Sequence, residues 1–202
     1  MKLYFAPGAC SLSPHIVAHE AGLELQLEKV DTQTKVLQSG GDFWKINPKG
    51  YVPALELEPG EVLTEGPALV LYLADLRPEA GLVPAEGSRE RYRVQEMLGY
   101  INSELHKTYA PLFQPTTPDV TREERTVYLF KRYKLIEERL ATRAYLFGDT
   151  FGIADAYLYT VTRWAKYVKV DLSGFPNLMA FMERVSARPA VRKALAAEGL
   201  PV

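Results

Sequence analysis

The single cysteine of the chain, Cys10, lies in a short loop between the first apolar segment and the first predicted helix. A lone cysteine often serves only as a small buried apolar side chain. A helix N-terminus, however, carries partial positive charge and N–H groups, and both stabilise a thiolate. We therefore expect a reactive thiol. Ser13 follows three residues later, so the loop is similar to a redox site whose second cysteine has become serine, and its reaction would need an external thiol.

The dipeptide Val52-Pro53 opens a predicted strand. Proline donates no N–H to a sheet, so a trans proline on a strand edge is the plain alternative, and only about 5–6% of X–Pro bonds are cis. A cis bond here would turn the N–H and C=O of Val52 outward. In that case we expect Val52 to pair with a peptide-like ligand.

Glu65 and Gly66 stand at the start of a predicted helix, with Pro67 in its first turn. Glu65 either has only a favourable interaction with the positive end of the helix dipole, or it belongs to a mixed site, one that binds both a carboxylate and an ammonium group of a ligand. In such a site the Gly66 N–H holds a ligand carboxylate while Glu65 pairs with a ligand ammonium. A free amino-acid end bears both groups.

Ser103, His106 and Lys107 have the i, i+3, i+4 spacing that places side chains on one face of an α-helix, and Gly99 shares that face. An isolated histidine on a helix is usually unremarkable. A Ser-His-Lys face near aromatic residues is a stronger candidate for a site.

Gly152 and Asp155 have capping-box spacing ahead of another predicted helix. For this pair we favour a structural role. We expect the Asp155 carboxylate to bond to the backbone at the helix start.

The elements that must position these residues fall into two groups. Up to Pro78 the pattern predicts β-α-β-α-β-β-α, with residues 51–57 as its third strand. The first helix is predicted to have Ser13 as N-cap, Pro14 at its first position and Gly22 after its end.

From about Ser88 onward the chain shows helical spacing without a convincing strand. We therefore predict an α/β domain over residues 1–78, a linker over 79–87 that contains Gly81, Pro84 and Gly87, and an all-helical domain over 88–202.

Composition excludes several classes of protein. Lys plus Arg number 24 and Asp plus Glu number 25, so the chain lacks the basic excess typical of nucleic-acid binding. One cysteine rules out a scaffold of internal disulfides, and with three histidines we expect no metal site. No apolar run reaches the length of a membrane span or a signal segment. We expect a cytoplasmic protein with neither a membrane nor a nucleic-acid partner.

Taken together, the motifs resemble those of the cytosolic glutathione transferases, specifically the bacterial beta class. The resemblance covers essentially the whole chain in order. The segments that carry it are MKLY at 1–4, GACSLSPH at 8–15, NPKGYVP at 47–53, LTEG at 63–66, SELHK at 103–107 and DAY at 155–157.

The resemblance implies an α/β plus all-α fold: a thioredoxin-like N-terminal domain (βαβαββα), then an all-helical domain, in a homodimer. It implies glutathione as co-substrate, a hydrophobic electrophile as second substrate and no prosthetic group. Cys10 and His106 would be catalytic, with Cys10 contacting the glutathione sulfur or forming a mixed disulfide with it. The expected glutathione-binding residues are Ala9, Cys10, Lys35, Tyr51, Val52, Pro53, Glu65, Gly66, Ser103, Glu104, His106 and Lys107. The expected co-substrate pocket residues are Tyr109, Phe113 and Trp164, and the structural capping pair is Gly152 and Asp155.

The chain departs from the family pattern at three glycines. Gly99 stands where relatives often carry Asn, with Asn102 one turn away as a partial replacement. Gly66 stands where many transferases have Ser, which keeps the backbone N–H and loses a hydroxyl. Gly152 replaces the usual Ser or Thr of the capping box, a tolerable N-cap.

Three functions follow. The first is transfer of glutathione to an electrophilic carbon, or its attack on a peroxide. The second is glutathione-dependent thiol-disulfide exchange through a mixed disulfide at Cys10. The third is a non-catalytic binding protein on the same fold, because a fold does not fix a function.

Overall fold

The computed structural model describes residues 1–201. The strands are β1 (Lys2–Phe5), β2 (Gln26–Lys29), β3 (Ala54–Glu58) and β4 (Glu61–Thr64). The α-helices are α1 (Leu12–Glu20), α2 (Gly66–Asp75), α3 (Arg89–Tyr100), α4 (Lys107–Tyr109), α5 (Asp119–Leu140), α6 (Ile153–Thr162), α7 (Trp164–Tyr167), α8 (Pro176–Ser186) and α9 (Pro189–Ala197). Short 3₁₀ turns cover Phe43–Lys45, Pro78–Ala80 and Ala110–Phe113, and a π-helical segment covers Ile101–His106. Within residues 1–201, no helix combines the length and apolar character needed to cross a bilayer.

The chain forms two compact units. The first unit contains residues 1–85 together with 186–201, and the second contains Glu86–Val185. The sequence predicts one helical domain over 88–202. In the structure the last segment instead joins the first unit, because α9 packs against α1.

The sheet of the first unit has the strand order β2-β1-β3-β4. β1 runs parallel to β2 and antiparallel to β3, and β3 runs antiparallel to β4. The register places Tyr4, Ala54 and Thr64 side by side. The loop after β1, the loop before β3 and the residues after β4 therefore leave the sheet at the same edge.

Helix α1 begins at Leu12, so the predicted start with Ser13 as N-cap and Pro14 as first residue was wrong. The hydroxyl of Ser11, at the N-cap position, makes no capping bond, because it is tied to both backbone groups of Ala6 at 3.2 Å. Gly22 follows the helix end with φ 66°, which confirms it as the predicted C-cap glycine. The Ser11 bonds close the loop that carries Cys10.

A tight turn over residues 47–52 precedes β3. The buried side chain of Asn47, the first residue of the turn, holds the turn together. Its Nδ2 donates to the Tyr51 carbonyl at 2.8 Å, and its Oδ1 accepts from the Lys49 N–H at 3.1 Å. The Trp44 ring lies so close to Gly50 that a Cβ there would stand 2.3 Å from a ring carbon. Gly50 also has φ 69°, in the left-handed region that favours glycine.

The residues after α9 hold the loop between β1 and α1. Both the Glu198 carboxylate and the His15 ring are almost fully buried, and Glu198 Oε1 lies 2.9 Å from His15 Nδ1. Its second oxygen accepts from the Gly8 N–H at 2.9 Å. Arg188 adds a two-pronged ion pair to Glu20 at the end of α1, with N···O distances of 2.6 and 2.8 Å. The C-terminal segment thus anchors both ends of α1.

The second unit is organised around α6, whose ten residues are all buried. At its start the Asp155 carboxylate accepts from the Gly152 N–H at 2.9 Å and the Leu146 N–H at 2.8 Å. The capping contact expected from the spacing is therefore present, and it also ties down the preceding loop. The π-helical segment, α3 and α6 pack together in this unit.

Replacing the buried carboxylate in the C-terminal anchor is expected to destabilise the protein. Glu198→Ala leaves the His15 ring N–H and the Gly8 N–H without an acceptor, at a cost of roughly 1–3 kcal/mol for each orphaned group. Chemical denaturation measures the free energy of unfolding. The control is Glu96→Ala, which removes an exposed ion pair with Arg93 and should cost less than about 1 kcal/mol. Equal losses in the two variants would contradict the anchoring role.

The turn before β3 is expected to tolerate no side chain at Gly50. Gly50→Ala meets both the left-handed backbone penalty of roughly 1–2 kcal/mol and the Trp44 ring. Gly60→Ala is the matched control, because Gly60 has φ 85° and no heavy atom within 4 Å of the added Cβ. We expect Gly50→Ala to lose more stability than the control and to shift the tryptophan emission as Trp44 is displaced. An equal loss of stability in Gly50→Ala and Gly60→Ala, with unchanged tryptophan emission in both, would contradict the close packing of Trp44 against Gly50.

Candidate functional site

Cys10 and Val52 meet at the edge of the sheet where the three loops converge. The partly exposed Cys10 thiol donates to the Val52 carbonyl oxygen at 3.2 Å, and Ser13 Oγ donates to the Cys10 carbonyl at 2.8 Å. The Val52–Pro53 peptide bond is cis, which confirms the prediction from the sequence. The contact uses the thiol in its protonated form, and it links the loop after β1 to the loop before β3.

Glu65 stands at the same edge, immediately before α2, with φ 73°. Its Oε1 accepts from Lys49 Nζ at 2.7 Å and from the Tyr51 hydroxyl at 2.8 Å. Thr64 Oγ1 also accepts from Lys49 Nζ, at 2.8 Å. The hydrogen bonds to Glu65 raise the pKa of both Lys49 and Tyr51 above their usual values. One oxygen of the Glu65 carboxylate therefore accepts hydrogen bonds from both the Lys49 ammonium and the Tyr51 hydroxyl, next to the loop that carries Cys10.

The ion pair between Lys49 and Glu65 is easily exchanged. Both side chains are about half exposed, at 46% and 48%, and exposed pairs of this kind contribute about 0–1 kcal/mol. The Lys49 ammonium occupies a position where another ammonium group could bind Glu65. Glu65, the carboxylate of the mixed site expected from the sequence, is thus paired with a group of this chain, and its role towards a ligand stays a prediction.

Lys35 lies in the loop between β2 and the 3₁₀ turn at Phe43–Lys45. It has φ 60°, and its exposed ammonium donates to the Thr32 carbonyl at 2.5 Å. A role in binding the glycyl end of a tripeptide stays a prediction, as do the roles expected for Ala9 and Gly66.

The second unit brings together four of the predicted residues in an aromatic cluster around Trp164. The Trp164 ring makes edge contacts with His106, Tyr109 and Phe113, at centroid distances of 4.8, 5.9 and 5.8 Å. Trp164 and Tyr109 are buried, whereas Phe113 is 46% exposed. The cluster therefore runs from the core of the unit to its surface and offers an apolar rim next to a histidine.

A buried hydroxyl chain supports the inner side of this cluster. The Tyr109 and Tyr133 hydroxyls lie 3.0 Å apart, and Tyr133 donates to Thr162 Oγ1 at 3.2 Å. Burial raises the pKa of Tyr133 to about 12 and that of Tyr109 far above its ordinary value. Both phenols therefore stay neutral and act as structural hydrogen-bonding groups.

His106 is turned inward from the π-helical segment. Its Nδ1 lies 2.7 Å from the Tyr157 hydroxyl, which in turn donates to Asn102 Oδ1 at 2.8 Å. Ser103 and Lys107 are exposed, and Ser103 Oγ bonds back to the Gly99 carbonyl at 3.0 Å. Ile101–His106 form a π-helical segment and Lys107 begins α4, so the α-helical spacing behind the predicted shared face does not apply to this segment, and the shared face stays a prediction. Asn102 is engaged by Tyr157.

Glu104 is held by residues of α5. Its Oε2 accepts from the Tyr128 hydroxyl at 2.5 Å and lies 2.7 Å from Arg132 Nε. The Tyr128 hydrogen bond, followed by the Arg132 charge, keeps the pKa of Glu104 below its usual value. Glu104 is thus an ionised member of a network within its own unit, and a contact with glutathione stays a prediction.

Sequence reasoning missed three residues that organise the site: Lys49, Asn47 and, in the second unit, Tyr157 as the partner of His106. Lys49 and Asn47 belong to the quoted segment 47–53, where Lys49 stands two positions before Tyr51. The Pro-Lys-Gly sequence signals a turn, and an Asn at its start is typical of a side chain that bonds to the backbone two residues later. Tyr157 is 51 residues from His106, and no local pattern indicates that contact.

Two family models match the chain. Residues 8–76 match the model of the glutathione S-transferase N-terminal domain, and residues 100–189 match that of the C-terminal domain. Glutathione S-transferase GstA of Escherichia coli O157:H7 is 46% identical over 200 residues, which cover 99% of this chain and 100% of that protein.

Solved structures agree with the family models. A sphingomonad glutathione S-transferase complexed with glutathione superimposes with a TM-score of 0.95 at 44% identity. The bacterial beta class glutathione S-transferase of Sphingomonas chungbukensis does so with a TM-score of 0.95 at 42% identity, and both comparisons cover 100% of each chain. The four-stranded sheet with its helices is thus thioredoxin-like, as expected. The two family models, the relative from Escherichia coli and the beta-class structures together show that this chain belongs to the glutathione S-transferase family, in its bacterial beta class.

Proposed function

We propose that this glutathione transferase binds glutathione along the sheet edge of its first unit and joins it, through its sulfur, to a hydrophobic electrophile. The observation that carries the proposal is the convergence of Cys10, Val52 and Glu65 at that edge. Glutathione has a thiol, a peptide backbone and a free amino-acid end. Each of the three residues offers a group suited to one of these.

The γ-glutamyl end of glutathione would bind at Glu65. Its ammonium group takes the place that the Lys49 ammonium holds, and the exposed, weak Lys49 pair permits this exchange. Gly66, the first residue of α2, would direct its N–H and the positive end of the helix toward the carboxylate of the same amino-acid end.

The cysteinyl part of glutathione would bind between Val52 and Cys10. The backbone of Val52 pairs with the cysteinyl backbone, and the glutathione sulfur lies beside Cys10. The single hydrogen of the Cys10 thiol, which donates to the Val52 carbonyl here, would turn to the ligand sulfur instead. A hydrogen bond to that sulfur favours its thiolate form, which is the nucleophile.

The hydrophobic electrophile would bind at the aromatic cluster of the second unit. The half-exposed Phe113 supplies the apolar surface, the buried Trp164 and Tyr109 pack behind it, and His106 supplies a proton-exchanging group. The roles in glutathione binding that the family resemblance implies for Ser103 and Lys107 stay predictions. A homodimer and a cytoplasmic location are part of the same proposal.

Thiol-disulfide exchange is the second candidate. The thiol of Cys10 is partly exposed at the end of a loop, and Ser13 occupies the position of a second cysteine. Cys10 would attack the sulfur of a glutathione mixed disulfide and release its other thiol. A second glutathione thiolate would then attack the Cys10–glutathione bond, giving glutathione disulfide and the Cys10 thiol.

Removing the charge of Glu65 is expected to weaken glutathione binding. Glu65→Gln keeps the size of the side chain and loses a charge-assisted hydrogen bond, which corresponds to a rise in Kd of roughly 10-fold or more. Isothermal titration with glutathione measures the change, with Glu58→Gln on the exposed end of β3 as the control. If both variants bound glutathione as tightly as the unchanged protein, Glu65 would have no part in the site.

Replacing Cys10 separates the two candidate functions. In Cys10→Ala, conjugation of a model aryl halide is expected to continue at a reduced rate, because the thiolate of glutathione is the nucleophile. Reduction of a glutathione mixed disulfide is expected to be lost. The mass of protein purified without reductant, before and after dithiothreitol, shows whether Cys10 carries glutathione. Loss of conjugation alone, with exchange intact, would contradict this assignment.

A further inference from the structure

Two histidines lie one turn apart on α1, where the C-terminal segment of the first unit packs against this helix. The ring centroids of His15 and His19 are 5.0 Å apart, with an angle of 31° between the ring planes. His15 is 3% exposed, and its Nδ1–H donates to Glu198 Oε1 at 2.9 Å. His19 Nε2 is buried as well, but no group within residues 1–201 forms a hydrogen bond with it.

This nitrogen favours the neutral form of the His19 ring. A neutral ring with its hydrogen on Nδ1 has only a lone pair at Nε2, whereas the imidazolium has an N–H donor at both nitrogens. A buried charged donor without an acceptor costs more than a buried neutral group without a partner. Protonation of His19 therefore creates an unsatisfied charged group in the folded protein.

The groups around His19 add to this cost. His15 lies on the same helix, and Lys193 approaches from α9. Burial, followed by these two groups, lowers the pKa of His19 from its usual 6.5. The position of His19 in the last turn of α1 acts in the opposite direction, because the negative end of a helix dipole favours a cation. The burial and the two cationic neighbours outweigh it.

The other ionisable groups on the packed elements leave this balance in place. Beyond α9, Glu198 accepts from His15 and from the Gly8 N–H. Before α9, Arg188 is neutralised by its ion pair with Glu20, at 2.6 Å. Helix α2 also packs against α1, and its ionisable residues, Tyr72 and Asp75, do not shift the pKa of His19.

We propose that the contact between α1 and α9 is a pH-sensitive switch, in which protonation of His19 loosens the docking of residues 186–201. The loosened segment includes Glu198, which holds the loop between β1 and α1 through the Gly8 N–H. The switch lies wholly within the first unit, and it operates whether or not the protein is active as a transferase.

The sign of the pH dependence follows from the two states of the contact. When α9 leaves α1, the His19 ring gains water and loses the nearby charge of Lys193, so the open form binds a proton more readily than the closed form. The equilibrium constant for opening is then independent of pH above the pKa of the open form, about 6.5. Below it the constant rises by up to about 10-fold per pH unit, until the closed form is protonated too.

The titration of His19 can be measured directly by NMR. The Cε1 proton signal of a histidine ring moves when the ring gains a proton. The chain has three histidines, and His19→Gln identifies the signal of His19 by its disappearance. We expect a midpoint below the usual pKa of 6.5. A midpoint at or above this value in the unchanged protein would overturn the proposal.

Hydrogen exchange measures the opening of the contact. Protection factors compare each amide with an unstructured peptide at the same pH, which removes the pH dependence of the chemical exchange step. Between pH 7.5 and 5.5 we expect the protection of α9 amides to fall by up to about 10-fold, with that of α6 amides in the second unit unchanged. Constant protection in α9, or an equal fall in α6, would contradict the switch.

Two variants of His19 separate its charge from its packing. His19→Gln cannot gain a proton, so the protection of α9 should no longer depend on pH in this range. His19→Lys has a permanent positive charge, so the protection of α9 at pH 7.5 should be as low as that of the unchanged protein at pH 5.5. His106→Gln, in the second unit, is the matched control and should keep the full pH response.

The buried pair of His15 and Glu198 is the competing explanation, because protonation of Glu198 would also weaken their hydrogen bond. If α9 in His19→Gln lost protection with falling pH as the unchanged protein does, this pair and not His19 would be the titrating group. Normal protection of α9 in His19→Lys at pH 7.5 would likewise show that a charge at this position does not open the contact.

Discussion

The antiparallel pairing of β3 with both of its neighbours determines where the first unit can carry out chemistry. Because β1 and β4 both run against β3, the end of β1, the start of β3 and the end of β4 lie at one edge of the sheet. Cys10, Val52 and Glu65 follow or precede these strand ends by only a few residues. Their proximity is therefore a consequence of strand direction, and any other topology for β3 would separate them.

The site combines firmly held loops with loosely held functional groups. The loops are fixed by buried or backbone bonds: the Ser11 hydroxyl on Ala6, and the Asn47 amide on the turn before β3. The Lys49–Glu65 pair, in contrast, is exposed and weak. A ligand can thus replace a side-chain contact without disturbing the backbone that presents it, so binding requires little reorganisation of the loops.

The sequence was a good guide where a local pattern carried the information. The strand and helix order of the first 78 residues, the start of α2 at Gly66 and the glycine after α1 all follow from residue types that act within a few positions. The start of α1 was misplaced because Ser13, the expected N-cap, lies inside the first turn, where its hydroxyl donates back to the Cys10 carbonyl. The π-helical turn at Ile101–His106 has no glycine or proline to signal it, so the α-helical period of 3.6 assumed from the sequence gave no sign of the wider turn. The partners of Glu65 and His106, and the place of α9, depend on contacts between distant residues that only the fold reveals.

The position of α9 has a consequence for the order of events during synthesis. The first unit needs residues 186–201, including the buried Glu198, but the ribosome makes them only after the whole second unit. All 100 residues of Glu86–Val185 are translated between the two parts, which takes about 5–20 s at typical elongation rates. During that interval α1 lacks the helix that covers it, and the Cys10 loop lacks the carboxylate that accepts from Gly8. The loop that carries Cys10 is therefore completed only after the second unit has been made, so during synthesis its closure comes much later than the strands of its own sheet.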